Sequence, residues 1–120
     1  MDDAHLSRRG KARDMIEAMR FDGHVAVVTG ATRGVGRGVA SVLAQSGGRV
    51  FITGRSVDHE QMLTDSIVGL RCDHRDDAQV DATFARIARE AGTVDVLVNN
   101  VWGGYDGMIE NGAFTWARPF

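Results

Sequence analysis

The chain has 120 residues, of which 43% are hydrophobic and 25% are charged, and this is the ordinary composition of one small globular domain. No stretch approaches the roughly eighteen uninterrupted apolar residues of a membrane span, and the N-terminal region lacks the apolar core of a signal peptide. A formal net charge of −2 argues against nucleic acid or an anionic membrane as a partner. The single cysteine excludes a disulfide framework and a cysteine-rich zinc site, so we expect no metal. Since the N-terminal region does not resemble a signal peptide, the expected location is the cytoplasm.

The chain begins with a charged N-terminal extension, residues 1–20, before the first strand-like run. Apolar residues at helical spacing in this extension predict an extra helix or a frayed tail rather than a functional arm. Four short apolar runs then follow that are typical of buried parallel strands, and they cover residues 24–29, 49–53, 67–71 and 94–98.

Helical patterns lie between the strand-like runs. Apolar periodicity over residues 35–43 and 76–91 predicts two helices, and a shorter helix is predicted over residues 57–65 with Asp58 as its cap. Strands that alternate with helices are typical of an α/β fold. We therefore predict a Rossmann-type doubly wound parallel sheet with the strand order 3-2-1-4.

The last part of the chain has a different composition. Residues 99–120 contain five of the eight aromatic residues and show no clear period. Aromatic side chains at this density need burial, so either they pack on a partner or the rest of their domain lies outside this chain. The predicted division is an N-terminal extension at 1–20, an α/β half-domain at 21–103, and an aromatic-rich tail at 104–120.

A glycine-rich loop follows the first predicted strand directly and opens the first predicted helix. The loop spans residues 29–36, Thr-Gly-Ala-Thr-Arg-Gly-Val-Gly. Glycine lets a ligand approach the backbone, and the free amides of the helix start suit a pyrophosphate. The loop is not a P-loop, because no lysine is near, and it departs from strict G-x-G-x-x-G, because Val39 stands at the third small position.

The residues after the second strand indicate which dinucleotide binds. An NAD-binding fold places a carboxylate there, whereas this chain has Arg55 and no carboxylate before Asp58. The planar guanidinium of Arg55 suits a 2′-phosphate, and Arg33 in the glycine loop adds a second positive charge. Both arginines favour NADP over NAD, although both are also compatible with solvated loop charges.

Polar residues also follow the third and fourth strands. Asp73 is a candidate acceptor for an adenine amino group, whereas Cys72 is interpreted as a small core residue and His74 as a solvent-facing loop residue. Asn99 and Asn100 are expected to tie neighbouring loops together and to meet a ribose, or else to serve turn structure alone.

These motifs together resemble the short-chain dehydrogenase/reductase family over residues 21–103. The family pattern T-G-x-x-x-G-x-G is matched at 29–36, and its aspartate after strand three is matched by Asp73. Its N-N-A-G motif becomes Asn-Asn-Val-Trp-Gly at 99–103, which is bulkier and carries an apparent insertion. Within the family, this stretch and the aromatic tail resemble most the dehydrogenase/reductase member 1 branch.

The resemblance implies reversible hydride transfer between NADP(H) and a small carbonyl or alcohol substrate, with no nucleic-acid or membrane partner. By resemblance the loop residues line the cofactor phosphates and ribose, Arg55 holds the 2′-phosphate, Asp73 and His74 flank the adenine, and Asn100 approaches the nicotinamide ribose. The implied cofactor-binding residues are Gly30, Ala31, Thr32, Arg33, Gly34, Val35, Gly36, Arg55, Asp73, His74 and Asn100.

The catalytic residues of the family have no counterpart here. The family uses a serine and a Tyr-x3-Lys pair, whose lysine lowers the tyrosine pKa for proton transfer. Four residues after the only tyrosine, Tyr105, stands Ile109; the only lysine is Lys11, and no serine follows Ser66. We therefore interpret the chain as the cofactor-binding half of such an enzyme, truncated before the catalytic half and inactive alone.

Two other hypotheses remain open from the sequence. The first is a non-catalytic nucleotide-binding or protein-interaction module that uses the aromatic tail as an interface. The second is an unrelated flavodoxin-like fold that binds FMN. Independently of these hypotheses, a sheet that ends with the fourth strand leaves that strand as an exposed parallel edge, so we also expect homo-oligomers or aggregation.

Overall fold

The computed structural model describes residues 10–11, 20–57, 61–102 and 109–115. The predictions for most of the N-terminal extension, and for the tail at 103–108 and 116–120, lie outside the described residues. The described elements are β1 (Val25–Val28), α1 (Gly34–Gln45), β2 (Arg49–Gly54), β3 (Gln61–Thr64), β4 (Ile67–Arg71), α2 (Asp77–Ala91), β5 (Val96–Val98), β6 (Ile109–Glu110) and β7 (Ala113–Phe114).

The main sheet has five strands in the order β3-β4-β2-β1-β5, and β6 pairs separately with β7. Four of the five strands are parallel, and Val28 at the end of β1 lies opposite Ile52 of β2 and Val98 of β5. The four predicted strands correspond to β1, β2, β4 and β5, so the predicted parallel order 3-2-1-4 is confirmed. The carboxyl ends of these strands therefore lie together at one edge.

The two helices cover opposite faces of the sheet. On one face Val28 and Ile52 pack with Ala40 and Leu43 of α1. On the other face the alternate strand residues, including Val27 and Phe51, pack with Ile87 of α2. Each large side chain buried in this way contributes about 1.5–3 kcal/mol to folding. This arrangement confirms the doubly wound prediction.

The predicted short helix over residues 57–65 is wrong for its described part. Gln61–Thr64 is instead a strand, β3, which pairs antiparallel with β4 and extends the sheet; Asp58 lies outside the described residues. The hydroxyl oxygen of Thr64 accepts hydrogen bonds from the backbone N–H of Ser66 (3.2 Å) and of Ile67 (3.1 Å). These bonds close a tight turn, so the chain returns at once along β4 and leaves no length for a helix.

Helix α2 confirms the pattern predicted over residues 76–91. The Asp76 carboxylate caps its first turn by accepting from the N–H of Ala78 at 3.0 Å, and Gly92 ends it in the left-handed conformation. Among the described residues, no helix is long and apolar enough to cross a membrane.

The open edge of the sheet at β5 leads to a prediction about association. Within the part of the chain that the structure describes, β5 pairs only with β1, and Leu97, which lies opposite Val27, is 47% exposed. A free strand edge beside an exposed apolar side chain is a template for further pairing. We expect concentration-dependent association in sedimentation velocity, which Leu97→Lys reduces. A monomer at every concentration tested would contradict this expectation.

Candidate functional site

A cavity of about 700 Å³ opens at the carboxyl edge of the parallel sheet. Its volume is within the range of small-molecule and cofactor sites. Its walls come from the loops that follow β1, β2, β4 and β5, and the lining residues are Gly30, Thr32, Arg33, Gly34, Gly54, Arg55, Ser56, Cys72, Asp73, His74, Arg75, Asn100, Val101 and Trp102. Ligands of open parallel sheets bind at this edge.

The start of α1 forms one wall of the cavity. Arg33 is the N-cap residue, but its side chain makes no capping hydrogen bond, and the first turn contains no acidic residue. Gly34 has a φ of +66°, a backbone conformation that strains any residue with a side chain. The helix therefore presents backbone amides without a side-chain cap, together with the positive end of its dipole, which is the arrangement that binds phosphate.

Gly36 allows the first turn of α1 to approach the loops beneath it. A Cβ atom on Gly36 would overlap the side-chain nitrogen of Asn100 and would lie 3.0 Å from both the Cα of Ala31 and the carbonyl oxygen of Gly30. Two of these three neighbours are backbone atoms, which cannot rotate away. A side chain at this position would therefore push the helix start away from the glycine loop.

A hydrogen-bond network joins the glycine loop to the loop after β5. The Asn100 side chain donates to the carbonyl oxygen of Gly30 at 3.0 Å, and its backbone N–H donates to the Thr29 hydroxyl at 3.1 Å. That hydroxyl donates in turn to the carbonyl oxygen of Val98 at 3.3 Å. The structure thus gives Asn100 the loop-tying role that the sequence predicts for the asparagine pair.

The glycine loop is also tied to the end of β2. The N–H of Ala31 donates to the carbonyl oxygen of Thr53 at 3.0 Å, and the Ser56 hydroxyl donates to the Thr32 hydroxyl at 3.1 Å. These bonds hold the two loops that carry Arg33 and Arg55, and both arginines line the cavity. The N-terminal end of α1 and two guanidinium-bearing side chains therefore border the same space.

The loop after β4 contains an ion pair that residue types and spacing did not predict. Arg75 donates from Nε to Asp73 Oδ1 at 3.0 Å and from Nη2 to Asp73 Oδ2 at 2.7 Å. The backbone N–H of Arg75 also donates to Oδ1 at 3.0 Å. Oδ1 thus accepts two hydrogen bonds and Oδ2 accepts one, so Oδ2 retains a lone pair for a further donor, and the role of Asp73 towards an adenine amino group stays a prediction. The side-chain hydrogen bond from Arg75 holds the pKa of the Asp73 carboxyl well below its usual range.

His74 and Cys72 lie beside this ion pair. His74 is half-buried rather than solvent-facing as predicted, because its Nε2 lies 2.7 Å from the hydroxyl of the buried Thr53. Cys72 is a free, buried thiol, as expected for a small core residue, although it also borders the cavity.

The structure brings most of the predicted site residues together and leaves three outside the cavity wall. Ala31 is buried beneath the loop, Gly36 lies behind it, and Val35 is 77% exposed on α1. The lining residues not assigned to the site from sequence are Gly54, Ser56, Cys72, Arg75, Val101 and Trp102. Each lies within two residues of a predicted position, so their place at strand ends is the signal that could have identified them.

The ion pair makes a testable prediction about the titration of Asp73. Because its pKa is lowered, the ionised Asp73 carboxylate stabilises the folded chain at a pH above 3.8, the usual pKa of this group. This stabilisation is lost as the pH falls below 3.8 towards the lowered pKa. We expect the Asp73 carboxyl carbon to show no midpoint near pH 3.8 in a 13C NMR titration, and Arg75→Met to move the midpoint up towards it. A wild-type midpoint at the usual value would show that the pair does not form in solution.

Comparison with known proteins identifies the family. A sequence model of the family described as short chain dehydrogenase matches residues 24–116. This chain belongs to the short-chain dehydrogenase family. The assignment confirms the predicted resemblance, and it contradicts the flavodoxin-like alternative.

Individual relatives cover most of this chain. Dehydrogenase/reductase SDR family member 1 of Homo sapiens is 39% identical over an alignment of 112 residues that covers 85% of this chain and 36% of that protein. The 1,6-dihydroxycyclohexa-2,4-diene-1-carboxylate dehydrogenase of Pseudomonas putida is 38% identical over 108 residues, 84% of this chain and 36% of that enzyme. The 3-oxoacyl-(acyl-carrier-protein) reductase FabG of Escherichia coli is 40% identical over 86 residues, 68% of this chain and 35% of that enzyme. The chain thus spans about a third of the length of these relatives.

Proposed function

We propose that this chain supplies the NADP-binding part of an oxidoreductase that transfers hydride between NADP(H) and a carbonyl or alcohol. One observation carries the proposal: the amide end of α1, without a side-chain cap, borders the same cavity as Arg33 and Arg55. A dinucleotide with an additional phosphate needs an anion site of this kind beside a second positive group.

The residues of the cavity fit such a cofactor. In the proposed arrangement the start of α1 at Gly34 holds the pyrophosphate, and Arg33 and Arg55 hold the 2′-phosphate. The adenine lies towards Asp73 and His74, and the nicotinamide ribose lies towards Asn100. When bound, the nicotinamide ring supplies or accepts the hydride.

The choice of NADP over NAD rests on the end of β2. Gly54, Arg55 and Ser56 line the cavity there, and no carboxylate stands among them to accept a hydrogen bond from a ribose 2′-hydroxyl. A guanidinium instead offers two parallel donors to phosphate oxygens. A positive guanidinium in place of a negative carboxylate at the end of β2 is the physical reason to expect NADP.

The substrate class follows from the activities that the relatives' names state. One is named a 3-oxoacyl reductase, which acts on a carbonyl, and another is named the dehydrogenase of a dihydroxy acid, which acts on an alcohol.

The 120 residues of this chain contain no Tyr-x3-Lys pair and no serine after Ser66. We therefore propose that this chain binds the cofactor and does not turn over a substrate by itself. The cytoplasm stays our prediction for its location.

A titration of the full chain with NADP and with NAD tests the proposal. Trp102 lines the cavity and is 62% exposed, so its fluorescence reports on binding. We expect saturable binding that favours NADP, and Arg55→Met should weaken NADP binding about tenfold or more while leaving NAD nearly unchanged. Arg86→Met, which removes an arginine paired with Glu90 on α2, is the matched control. Binding of neither dinucleotide, or equal binding of both, would contradict the proposal.

A second candidate function is a protein-interaction module. The exposed apolar side chains Val101, Trp102, Ile109 and Phe114 favour it, because several exposed apolar residues in the segment after β5 are suited to contact a partner. In this case Trp102 fluorescence would not respond to either dinucleotide but would change when a second polypeptide is added. Saturable NADP binding that depends on Arg55 would exclude a module without a nucleotide site.

A further inference from the structure

Asp73 shares the edge of the sheet with more than one arginine. It is paired with Arg75, and it also lines the main cavity together with Arg55. A smaller cavity of about 180 Å³ is bordered by Arg55, Asp73, Arg71 and Gln79, so Arg55 and Asp73 both line the two cavities. The Arg55 charge is itself one of the causes that lower the pKa of Asp73. The carboxylate and the arginine proposed for the 2′-phosphate are therefore electrostatically coupled.

The backbone holds Asp73 at this place independently of Arg75. The N–H of Asp73 donates to Oε1 of Gln79 at 2.9 Å, and Nε2 of Gln79 donates to the Asp76 carboxylate at 3.1 Å. The N–H of Asp76 donates back to the carbonyl oxygen of Asp73 at 3.0 Å. Because this turn is held by three hydrogen bonds, the backbone of Asp73 stays beside the cavity whether or not its side chain has a partner.

Arg75 takes up that carboxylate in a two-point contact. Its Nε and Nη2 reach one oxygen each, which is the strongest geometry for an arginine and a carboxylate. Without Arg75, the Asp73 charge would attract the next guanidinium, that of Arg55, and would repel a phosphate placed there. Pairing with Arg75 therefore prevents the Asp73 carboxylate from competing with a phosphate for Arg55.

We propose that Arg75 is a positioning residue that determines cofactor specificity, because it holds Asp73 and so keeps Arg55 available for the 2′-phosphate of NADP. This inference rests on the proposed function. In this proposal Arg75 acts indirectly and affects NADP but not NAD. The adenine, the ribose and the pyrophosphate are common to both cofactors, and only the 2′-phosphate of NADP competes with Asp73 for Arg55.

The test measures the dissociation constants of NADP and NAD for the full chain and three variants. In Arg75→Met we expect the preference for NADP to fall about three- to tenfold, through weaker NADP binding with NAD changed less than about twofold. In the double variant Arg75→Met/Asp73→Asn we expect the preference to return to within about twofold of the wild type, because the competing charge is gone. Arg86→Met should leave the preference unchanged.

The double variant separates this inference from a direct role of Arg75 on phosphate. If Arg75 itself bound the 2′-phosphate, Asp73→Asn would not restore the preference, and this result would overturn the inference. An unchanged preference in Arg75→Met would overturn it as well. Should that variant not fold by circular dichroism, Arg75→Lys replaces it; the lysine keeps the charge but not the two-point contact, so we expect a smaller loss that Asp73→Asn again restores.

The same data separate this inference from the proposed function. If the wild-type chain binds neither dinucleotide, or binds both equally, the proposed function fails and the role of Arg75 fails with it. If the wild type prefers NADP in an Arg55-dependent way and Arg75→Met retains that preference, only the inference about Arg75 is overturned.

Discussion

Gly36→Ala is expected to lower the free energy of unfolding by about 1–3 kcal/mol and to remove detectable NADP binding. The added Cβ would overlap the Asn100 side chain and would crowd the backbone of Ala31 and Gly30. The Asn100 side chain can rotate, but the backbone of Ala31 and Gly30 cannot, so α1 has to move away from the glycine loop, and the movement displaces the amides proposed for the pyrophosphate. Urea unfolding followed by circular dichroism measures the stability, and Trp102 fluorescence measures the binding.

Gly38→Ala is the matched control in the same helix. A Cβ atom on Gly38 would have no neighbour within 4 Å. Alanine is the better helix former by roughly 0.5–1 kcal/mol, so this variant should be as stable as the wild type or more stable, and it should still bind NADP. Equal effects of the two substitutions would show that helix propensity, and not the close approach at Gly36, decides the outcome.

Thr29→Val is expected to destabilise the chain by about 1–3 kcal/mol and to weaken NADP binding. Thr29 is 3% exposed, and its hydroxyl accepts from the backbone N–H of Asn100 and donates to the carbonyl oxygen of Val98. Valine has nearly the same shape but leaves the Asn100 N–H without this acceptor. The loop after β5 would then lose one of its two bonds to the glycine loop. Thermal unfolding and the NADP dissociation constant measure the two effects.

Thr29→Ser is the corresponding control, since it keeps the hydroxyl and removes only a methyl group. We expect it to bind NADP like the wild type and to lose less stability than Thr29→Val. If serine and valine weaken binding equally, the hydroxyl network does not position the glycine loop, and the role given to Asn100 in holding that loop is wrong.

The parallel sheet was predictable from sequence because its signals are local. Buried strands are short apolar runs, and glycines at 47, 48 and 92 mark the helix ends. The end of β2 was equally informative, because a residue that directly follows a parallel strand must lie at the ligand-binding edge. This is why Arg55 could be placed at the site before the fold was known.

Strand β3 was not predictable, because a short segment with few apolar residues fits either a helix or a strand. Its conformation depends on the turn that Thr64 closes and on pairing with β4, which no local pattern contains. The orientation of α1 also depends on tertiary contacts, because packing on the sheet decides which face of the helix is buried. Gly36, Ala40 and Leu43 face the sheet, whereas Val35 is largely exposed.

The Asp73–Arg75 pair was missed for a geometric reason. Side chains two residues apart lie on one face of a strand but do not face each other in a helix, so this spacing alone does not predict a two-point contact. They meet here only because the chain turns immediately after β4, with the N–H of Arg75 donating to the Asp73 carboxylate. The electrostatics of the candidate site therefore depend on a loop conformation that residue types and spacing do not determine.

A 1H–15N NMR titration of the full chain with NADP and NAD tests most directly whether the glycine loop and Arg55 form the cofactor site. Both ligands should shift the backbone amides of Gly34, Val35 and Gly36 in a saturable way, because both contain the pyrophosphate. Only NADP should shift the side-chain Nε–H of Arg55. Shifts confined to other parts of the chain, or an Arg55 signal that responds equally to both ligands, would contradict the account.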